Sequence, residues 1–462
     1  MSAVVQGLVV AWYVLCTFVQ RRWGPQPATR GALQALQQRR LQRFLRRELG
    51  ALPFYRERPR STLAELPIVD KATLLAAFEG FNRQGLGLAQ ALAAAERAEA
   101  GLPTGLPGGL SAGLSSGTSG ARGVFLVSPR ERGIWAGAML SSVLSQASLR
   151  QLLTPWAPRL RVAFFLRANS ALYDTVDGWR LQLCWLPLTL PAAEQTARLQ
   201  ALMPQILVAP ASVLGSLARA QLAGHLRITP RQVISVAEVL EDDDAHAAVQ
   251  AWGIAPAQIY QCTEGFLGAS CEAGQVHLNE PYLLIEPEWL DAAHTRFRPL
   301  VTDWTRRSQA FVRFRLDDVL RPLPGPCACG RPTLALARIE GRADDCFWLP
   351  DACGRLQPLY PDALRHAITQ AQSGWSAACT LQDYRLTQQG LRWQLCTQPV
   401  LDAAHRGVLQ QALGELCCAA GLPLPEIIDA PWIAEDATHK RRRIRCLEKP
   451  ASQRETESAC AF

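Results

Sequence analysis

Charge is missing from residues 2–20 (SAVVQGLVVAWYVLCTFVQ), and no basic side chain precedes that run. A secretory signal carries its positive charge ahead of its apolar segment, so this one does not read as a leader. A disulfide framework is also missing. The 14 cysteines are scattered through a long chain without secretory context, which favours reduced thiols in a cytoplasmic compartment. No lysine closes the glycine- and hydroxyl-rich stretch Ser115 to Gly123, so it is not a Walker A loop. The rest of the chain lacks a basic surplus as well. Residues 1–60 hold 11 arginines against Glu48 and Glu57, a net of +9, so the whole-chain +8 leaves −1 for residues 61–462. A nucleic-acid protein with a basic groove in its body is thereby disfavoured.

What is present fits a globular α/β protein of two or three domains, because 462 residues exceed a single core. In residues 2–20, helical rise gives a reach of about 28 Å, barely a hydrocarbon thickness. Three readings stay open: a buried first helix, an inserted segment whose Arg21 and Arg22 hold the body on the cytoplasmic side, or an interfacial helix anchored by Trp12 and Tyr13. Thr29 to Leu49 spaces Leu33, Leu36, Leu41, Phe44 and Leu45 as an amphipathic helix. Asp70 is placed to cap a helix running through Phe78, and residues 88–100 are alanine-rich and helical in propensity.

The stretch Ser115-Ser116-Gly117-Thr118-Ser119-Gly120-Ala121-Arg122-Gly123 packs three glycines and four hydroxyls into nine residues. Such a bend offers many N–H and O–H donors to phosphate; the same composition also serves as a linker. Downstream, strands at Val162–Leu166, Leu181–Leu186, Ile206–Val208, Val233–Val236 and Ile259–Gln261 alternate with helices at Ala192–Leu202, Ser212–Ala223 and Ala245–Trp252. That alternation predicts a largely parallel, covered sheet. From Gln275 to Leu320 the pattern turns β-rich. The expected domains are an apolar segment and basic helix (1–49), a large domain (50–341, with a β-rich part at about 271–340), a small α+β C-terminal domain (342–447) and a disordered tail (448–462).

Three polar groups could carry chemistry. Tyr260-Gln261-Cys262-Thr263-Glu264-Gly265 closes a predicted strand, at the sheet edge where ligands gather, though it could be an ordinary turn. Arg313-Phe314-Arg315-Leu316-Asp317-Asp318 could offer a carboxylate to a ribose diol, or pair internally across a surface hairpin. His439-Lys440-Arg441-Arg442-Arg443 is either a solvated basic face or, with Ile444 and Pro431-Trp432-Ile433, part of a folded strand pair that carries a lysine.

Taken in order, SSGTSGARG, YQCTEG, FRLDD, GRADD and HKRRR resemble the adenylate-forming superfamily of acyl-CoA synthetases and nonribosomal adenylation domains. Within it the chain looks most like the phenylacetate–CoA ligase branch and the synthetase that adenylylates a deazaflavin coenzyme. The resemblance covers about residues 50–446. It implies a large multi-layer N-terminal domain and a small mobile C-terminal domain. It further implies that Ser115, Ser116, Gly117, Thr118, Ser119 and Gly120 cradle the phosphates of ATP and that Tyr260 lies against adenine. Thr263 and Glu264 would meet phosphate and magnesium, Asp318 the ribose, and Arg342 the ribose or phosphate. Asp344 would be the hinge and Lys440 the mobile catalytic lysine. Arg122-Gly123, Gln261, Leu316-Asp317 and His439 depart from the family's usual residues.

The activity so implied joins a carboxylic acid to AMP, releases pyrophosphate, and passes the acyl group to a thiol of CoA or a carrier protein. Alternatives are transfer of AMP to a hydroxyl of a deazaflavin-like coenzyme, and a noncatalytic ATP-binding protein. FFLRANSALYD and VHLNE resemble a subgroup linked to aryl polyene pigments, which implies an aromatic acid such as a hydroxybenzoate. Tyr173, Trp179 and Trp185 are candidate pocket lining. Cys271, His277, Cys327 and Cys329 form the donor set of a structural zinc site, or are free cysteines, since Cys-x-Cys is tighter than the usual spacing. The same four positions resemble a cysteine/histidine cluster of the phenylacetate–CoA ligase branch.

Overall fold

The computed structural model describes residues 3–59, 61–114, 123–166, 180–376, 379–433 and 440–448. They fall into two compact units: residues 1–316 with 321–338, and residues 317–320 with 339–462.

The first unit opens with two helices, α1 (Ala3–Trp23) and α2 (Arg30–Arg47). Thr29 caps α2, its hydroxyl accepting from the Ala32 amide, and Leu33, Phe44 and Leu45 are buried as the spacing predicts. After α3 (Pro53–Arg56), Asp70 caps α4 (Lys71–Ala76) by accepting from the Thr73 amide. That helix stops at Ala76 and a 3₁₀ turn over Phe78–Phe81 follows, so it is shorter than expected. Next come α5 (Leu88–Glu99) and an antiparallel pair, β1 (Ser111–Leu114) and β2 (Val124–Val127), which flank residues 115–122. Then α6 (Pro129–Val143) and α7 (Gln146–Leu153) lead to the sheet.

Five strands form its parallel half: β3 (Leu160–Leu166), β4 (Leu181–Pro187), β5 (Ile206–Pro210), β6 (Gln232–Val236) and β7 (Ala257–Gln261), in the order β4-β3-β5-β6-β7. The helices α8 (Ala192–Leu202), α9 (Ala211–Leu222) and α10 (Asp242–Trp252) connect them. Side chains alternate along each strand. Val162, Phe164, Ile206, Val208 and Ile234 join one core with Ala138 and Leu144, whereas Ala163, Phe165, Leu207, Ala209 and Val233 join another with Leu199 and Leu214. Both faces are covered, which explains why these strands read as continuous apolar runs.

The sheet does not end at β7. It continues, through antiparallel pairs from β7 to β8, β8 to β9 and β9 to β14, into a half made of β8 (Phe266–Ser270), β9 (Val276–Leu278), β10 (Leu284–Trp289), β11 (Phe297–Thr302), β12 (Phe314–Arg315), β13 (Asp318–Pro322) and β14 (Ala335–Arg342), giving twelve strands among the described residues. The β-rich stretch therefore continues the parallel sheet.

The second unit holds a hairpin, β15 (Phe347–Pro350) with β16 (Leu356–Leu359), then α11 (Pro361–Ala371), β17 (Asp383–Gln389), β18 (Arg392–Gln398), α12 (Ala403–Ala419), β19 (Ile427–Asp429) and β20 (Ile444–Glu448). Its four-stranded sheet runs β19-β18-β17-β20. Trp393, Phe347, Leu364, Leu386 and Leu409 fill its core.

Candidate active site

Thr263 and Glu264 form the tip of the hairpin joining β7 to β8. The Cys262 amide donates to the Gly265 carbonyl at 3.1 Å and the Gly265 amide donates back at 3.3 Å. Because β7 ends the parallel half of the sheet, that tip lies at its carboxyl edge. Arg306 fastens it there, its guanidinium donating to the carbonyls of Thr263 (3.3 Å) and Glu264 (3.4 Å). The same guanidinium donates to the Leu126 carbonyl at 2.9 Å. One arginine thus ties the acidic turn to β2, the strand that leaves the glycine-rich stretch.

Two buried carboxylates flank this arginine with opposite tendencies. Burial pushes Asp303 up to about 6, although the Thr305 amide and hydroxyl both donate to it. Burial would raise Glu131 too. The Arg306 charge, with hydrogen bonds from Ser128, Ser308 and Arg307, outweighs that and holds it below the usual range. Asp303 and Arg306 carry no motif in the sequence; Glu131 was missed too, although Ser128-x-x-Glu131 is a capping-box pattern that would have flagged it.

Beside this turn lies an apolar cavity of about 100 Å3, open at its mouth, between α6 and the parallel strands. Met139, Leu140, Phe164, Val208 and Ile259 are among its walls. Arg132 and Gln261 are the polar side chains lining it, and the Arg132 Nε has no hydrogen-bond partner among the described residues. Ile259 and Gln261 reach it from β7 on either side of Tyr260, which is buried. Trp185 is not part of the lining. It packs edge-on against Phe164, ring centres 5.6 Å apart. Tyr173 and Trp179 lie outside the described residues, as do Ser115, Ser116, Gly117, Thr118, Ser119 and Gly120.

The second unit holds Asp317, Asp318, Arg342, Asp344 and Lys440. Arg342 donates to Asp317 at 3.0 Å and to Asp344 at 3.5 Å. Burial would lower its pKa, yet Asp318, Asp317, Asp344 and Asp345 together raise it. Arg442 forms a two-pronged ion pair with Asp345, joining the GRADD and HKRRR segments. Arg313 and Arg315 find partners on β10 instead, Glu286 at 3.4 Å and Glu288 at 2.6 Å, so the surface-hairpin pairing with Asp317 and Asp318 is not the arrangement found. Ile444 opens β20, which pairs in parallel with β17. The segment Pro431-Trp432-Ile433 lies outside any strand, and Trp432 meets the Arg385 guanidinium at 5.5 Å. Lys440 is half-buried and makes no ion pair with the described residues.

Four soft donors converge elsewhere in the first unit. Ligand atoms of Cys271, His277, Cys327 and Cys329 all lie within 4.8 Å of one another. Cys271 Sγ is 3.8 Å from Cys327 Sγ, and Cys329 Sγ is 3.3 Å from His277 Nε2. Tetrahedral zinc with its usual bond lengths sets such edges at about 3.5–3.8 Å, so the set fits that ion. The His277 Nδ1 faces the Thr333 hydroxyl (2.8 Å) and carbonyl (3.1 Å), which fixes the ring with Nε2 towards the sulfurs. Burial and the Arg331 charge lower the His277 pKa, favouring the neutral, ligating form.

No family model and no curated protein matches the sequence. Solved structures do. A 2-hydroxyisobutyryl-CoA ligase in its postadenylation state, bound to 2-HIB-AMP, is 17% identical, with TM-score 0.64 over 95% of this chain and 94% of that one. The chain has the fold of the adenylate-forming ligases. An acyl acid amido synthetase, GH3.15, is 12% identical with TM-score 0.54 over 92% of this chain and 93% of that one. The anthranilate-CoA ligase AuaEII, bound to anthranoyl-AMP, is 13% identical with TM-score 0.50 over 78% of this chain and 70% of that one. The adenylate-forming fold therefore frames both the β7 turn and the apolar cavity.

Proposed function

We propose that this chain is an ATP-dependent ligase that converts a carboxylic acid with an apolar body into an acyl-adenylate and then hands the acyl group to a thiol of CoA or a carrier protein. One observation supports this most. The strand β7 contributes Ile259 and Gln261 to an apolar cavity and ends, two residues later, in the Thr263-Glu264 turn. An acid body and an ATP phosphate can thus be served by neighbouring residues of one strand.

In the first step a carboxylate oxygen attacks the α-phosphorus of ATP, a P–O bond forms, and the bond to pyrophosphate breaks. Both reactants are anions, so charge must be neutralised and the displacement held in line. The Lys440 ammonium suits that task. Glu264, half-buried in a turn whose backbone Arg306 holds, would hold magnesium, which would supply positive charge against the triphosphate. Arg132 and Gln261 would orient the acid's polar end. In the second step the thiol sulfur attacks the acyl carbon and AMP leaves. An aromatic acid for aryl polyene assembly fits the cavity's chemistry. The cysteine/histidine cluster would hold structural zinc.

The test is acid-dependent ATP–pyrophosphate exchange over a panel of aromatic and aliphatic acids, followed by thioester detection with CoA. Exchange with an apolar acid, lowered about 100-fold in Lys440→Ala, is the expected result. Absence of exchange with every acid, or a stable AMP ester on a hydroxyl coenzyme without thioester, would overturn the reading.

A further inference from the structure

Helix α1 shows two unlike sides. Its inner side is seated on α6 through Gly133 and Gly137, where a Cβ would come within 2.6 Å of the Val10 carbonyl and 2.5 Å of the Val14 carbonyl. Val10 and Thr17 are buried there. Arg21 then bolts the C-terminal end, donating to Ser141 (3.0 Å), Ser142 (3.1 Å) and Asn279 (2.6 Å). The outer side carries Val4, Leu8, Trp12, Leu15, Val19 and Trp23, all exposed, with Trp12 at 64% and Leu8 at 66%. Spacings of four, four, three, four and four place these six on one stripe.

The geometry points to a membrane-docking role: α1 lies flat on an anionic phospholipid surface, its outer stripe among the acyl chains and its inner side still on the body. Three observations select this occupant. The stripe runs from residue 4 to residue 23, about 28 Å of apolar surface edged by tryptophans, which suits the boundary between headgroups and acyl chains. The charge surplus sits in the same segment: α2 holds exposed Arg39, Arg43, Arg46 and Arg47, and its Arg40 shares the Tyr282 ring with Arg21 of α1, at 5.4 and 4.7 Å. A second copy would bring its own +9 segment against this face, so charge complementarity favours anionic lipid over a self-dimer. By length and composition Val4–Trp23 could cross a bilayer. Crossing would break the α6 seat and leave the Arg21 bonds to Ser141, Ser142 and Asn279 unmade, whereas lying flat keeps both.

The experiment uses the full chain and sedimentation with phosphatidylcholine vesicles, with and without phosphatidylglycerol. Binding is expected for the anionic vesicles and weakens with salt. The exposed double variant Leu8→Glu/Leu15→Glu is expected to partition about 100-fold less, with an unchanged melting temperature. Arg43→Glu/Arg46→Glu should lower binding only where phosphatidylglycerol is present. Maleimide labelling of Cys16, exposed on the same side, should slow on adding vesicles, while exposed Cys353 and Cys418 label as before. Equal binding by the Leu8→Glu/Leu15→Glu variant, no binding by the parent chain, or a vesicle-free dimer abolished by that variant would overturn the proposal. Pyrophosphate exchange in soluble assay is a separate readout, so failure here leaves the ligase reading standing, and the converse.

Discussion

Lys440 is one of three lysines in a chain with 48 Lys and Arg residues, and it stands two positions before Arg442, whose guanidinium is committed to Asp345. Arginine is too strongly basic and too planar to be a general replacement for a compact ammonium. Lys440→Arg is therefore expected to retain under a tenth of the exchange rate at unchanged stability, measured by exchange kinetics beside a thermal melt. Asp303 gives a pH prediction. Its folded pKa of about 6 lies above the ordinary 3.8, so the folded state binds the extra proton, and its contribution is full below about pH 4 and lost as pH rises through 6. The loss is about 3 kcal/mol at most. Asp303→Asn cannot ionise, so denaturant melts at about pH 4 and pH 7 should show the variant gaining on the parent at the higher pH; parallel curves would contradict it. Such residues explain what the sequence hid. Glu264 and Lys440 sit in recognisable strings, whereas Asp303 and Arg306 matter only because β11 and the loop after it bring them back to the β7 turn.

At the scale of elements, α6 shows why some structure could not be read. Most of the strands and helices of the parallel half were legible, because strands covered on both faces leave short apolar runs and the helices between them leave a period. The helix α6 leaves none: Gly133 and Gly137 face α1 while Trp135, Met139 and Leu140 face the cavity, so it is apolar or small almost all round. Alanine at Gly137 would gain about 1 kcal/mol of helix propensity, but a Cβ 2.5 Å from the Val14 carbonyl must move backbone, at about 1–3 kcal/mol. Gly133→Ala/Gly137→Ala is expected to destabilise, with faster hydrogen exchange along α1 before α9. The cysteine/histidine cluster makes its own prediction. It joins the turn after β8 and the strand β9 to the loop between β13 and β14, so a chelator should release one zinc per chain and lower the melting temperature, and Cys327→Ser should do both without chelator. Metal analysis of the purified protein checks this directly.

For the molecule as a whole, the architecture was legible because alternating strands and helices admit few topologies, and five short motifs in order selected one. One detail of their placement was not: Asp317 and Asp318 of the FRLDD segment, with residues 319 and 320, group with residue 339 onward, apart from the residues on either side, which no local pattern announces. Ligand linkage offers a whole-protein check. ATP with an apolar acid should raise the melting temperature, more so as the acid's apolar body grows towards the cavity's size, and small polar acids should not. A final consequence follows from where α6 stands. One flank seats α1 and the other walls the cavity, with only one helix thickness, about 10 Å, between them. On the proposed ligase reading, a change in how α1 is held would reach the cavity wall, so Thr17→Val is expected to shift the order of acid preference in pyrophosphate exchange without touching substrate.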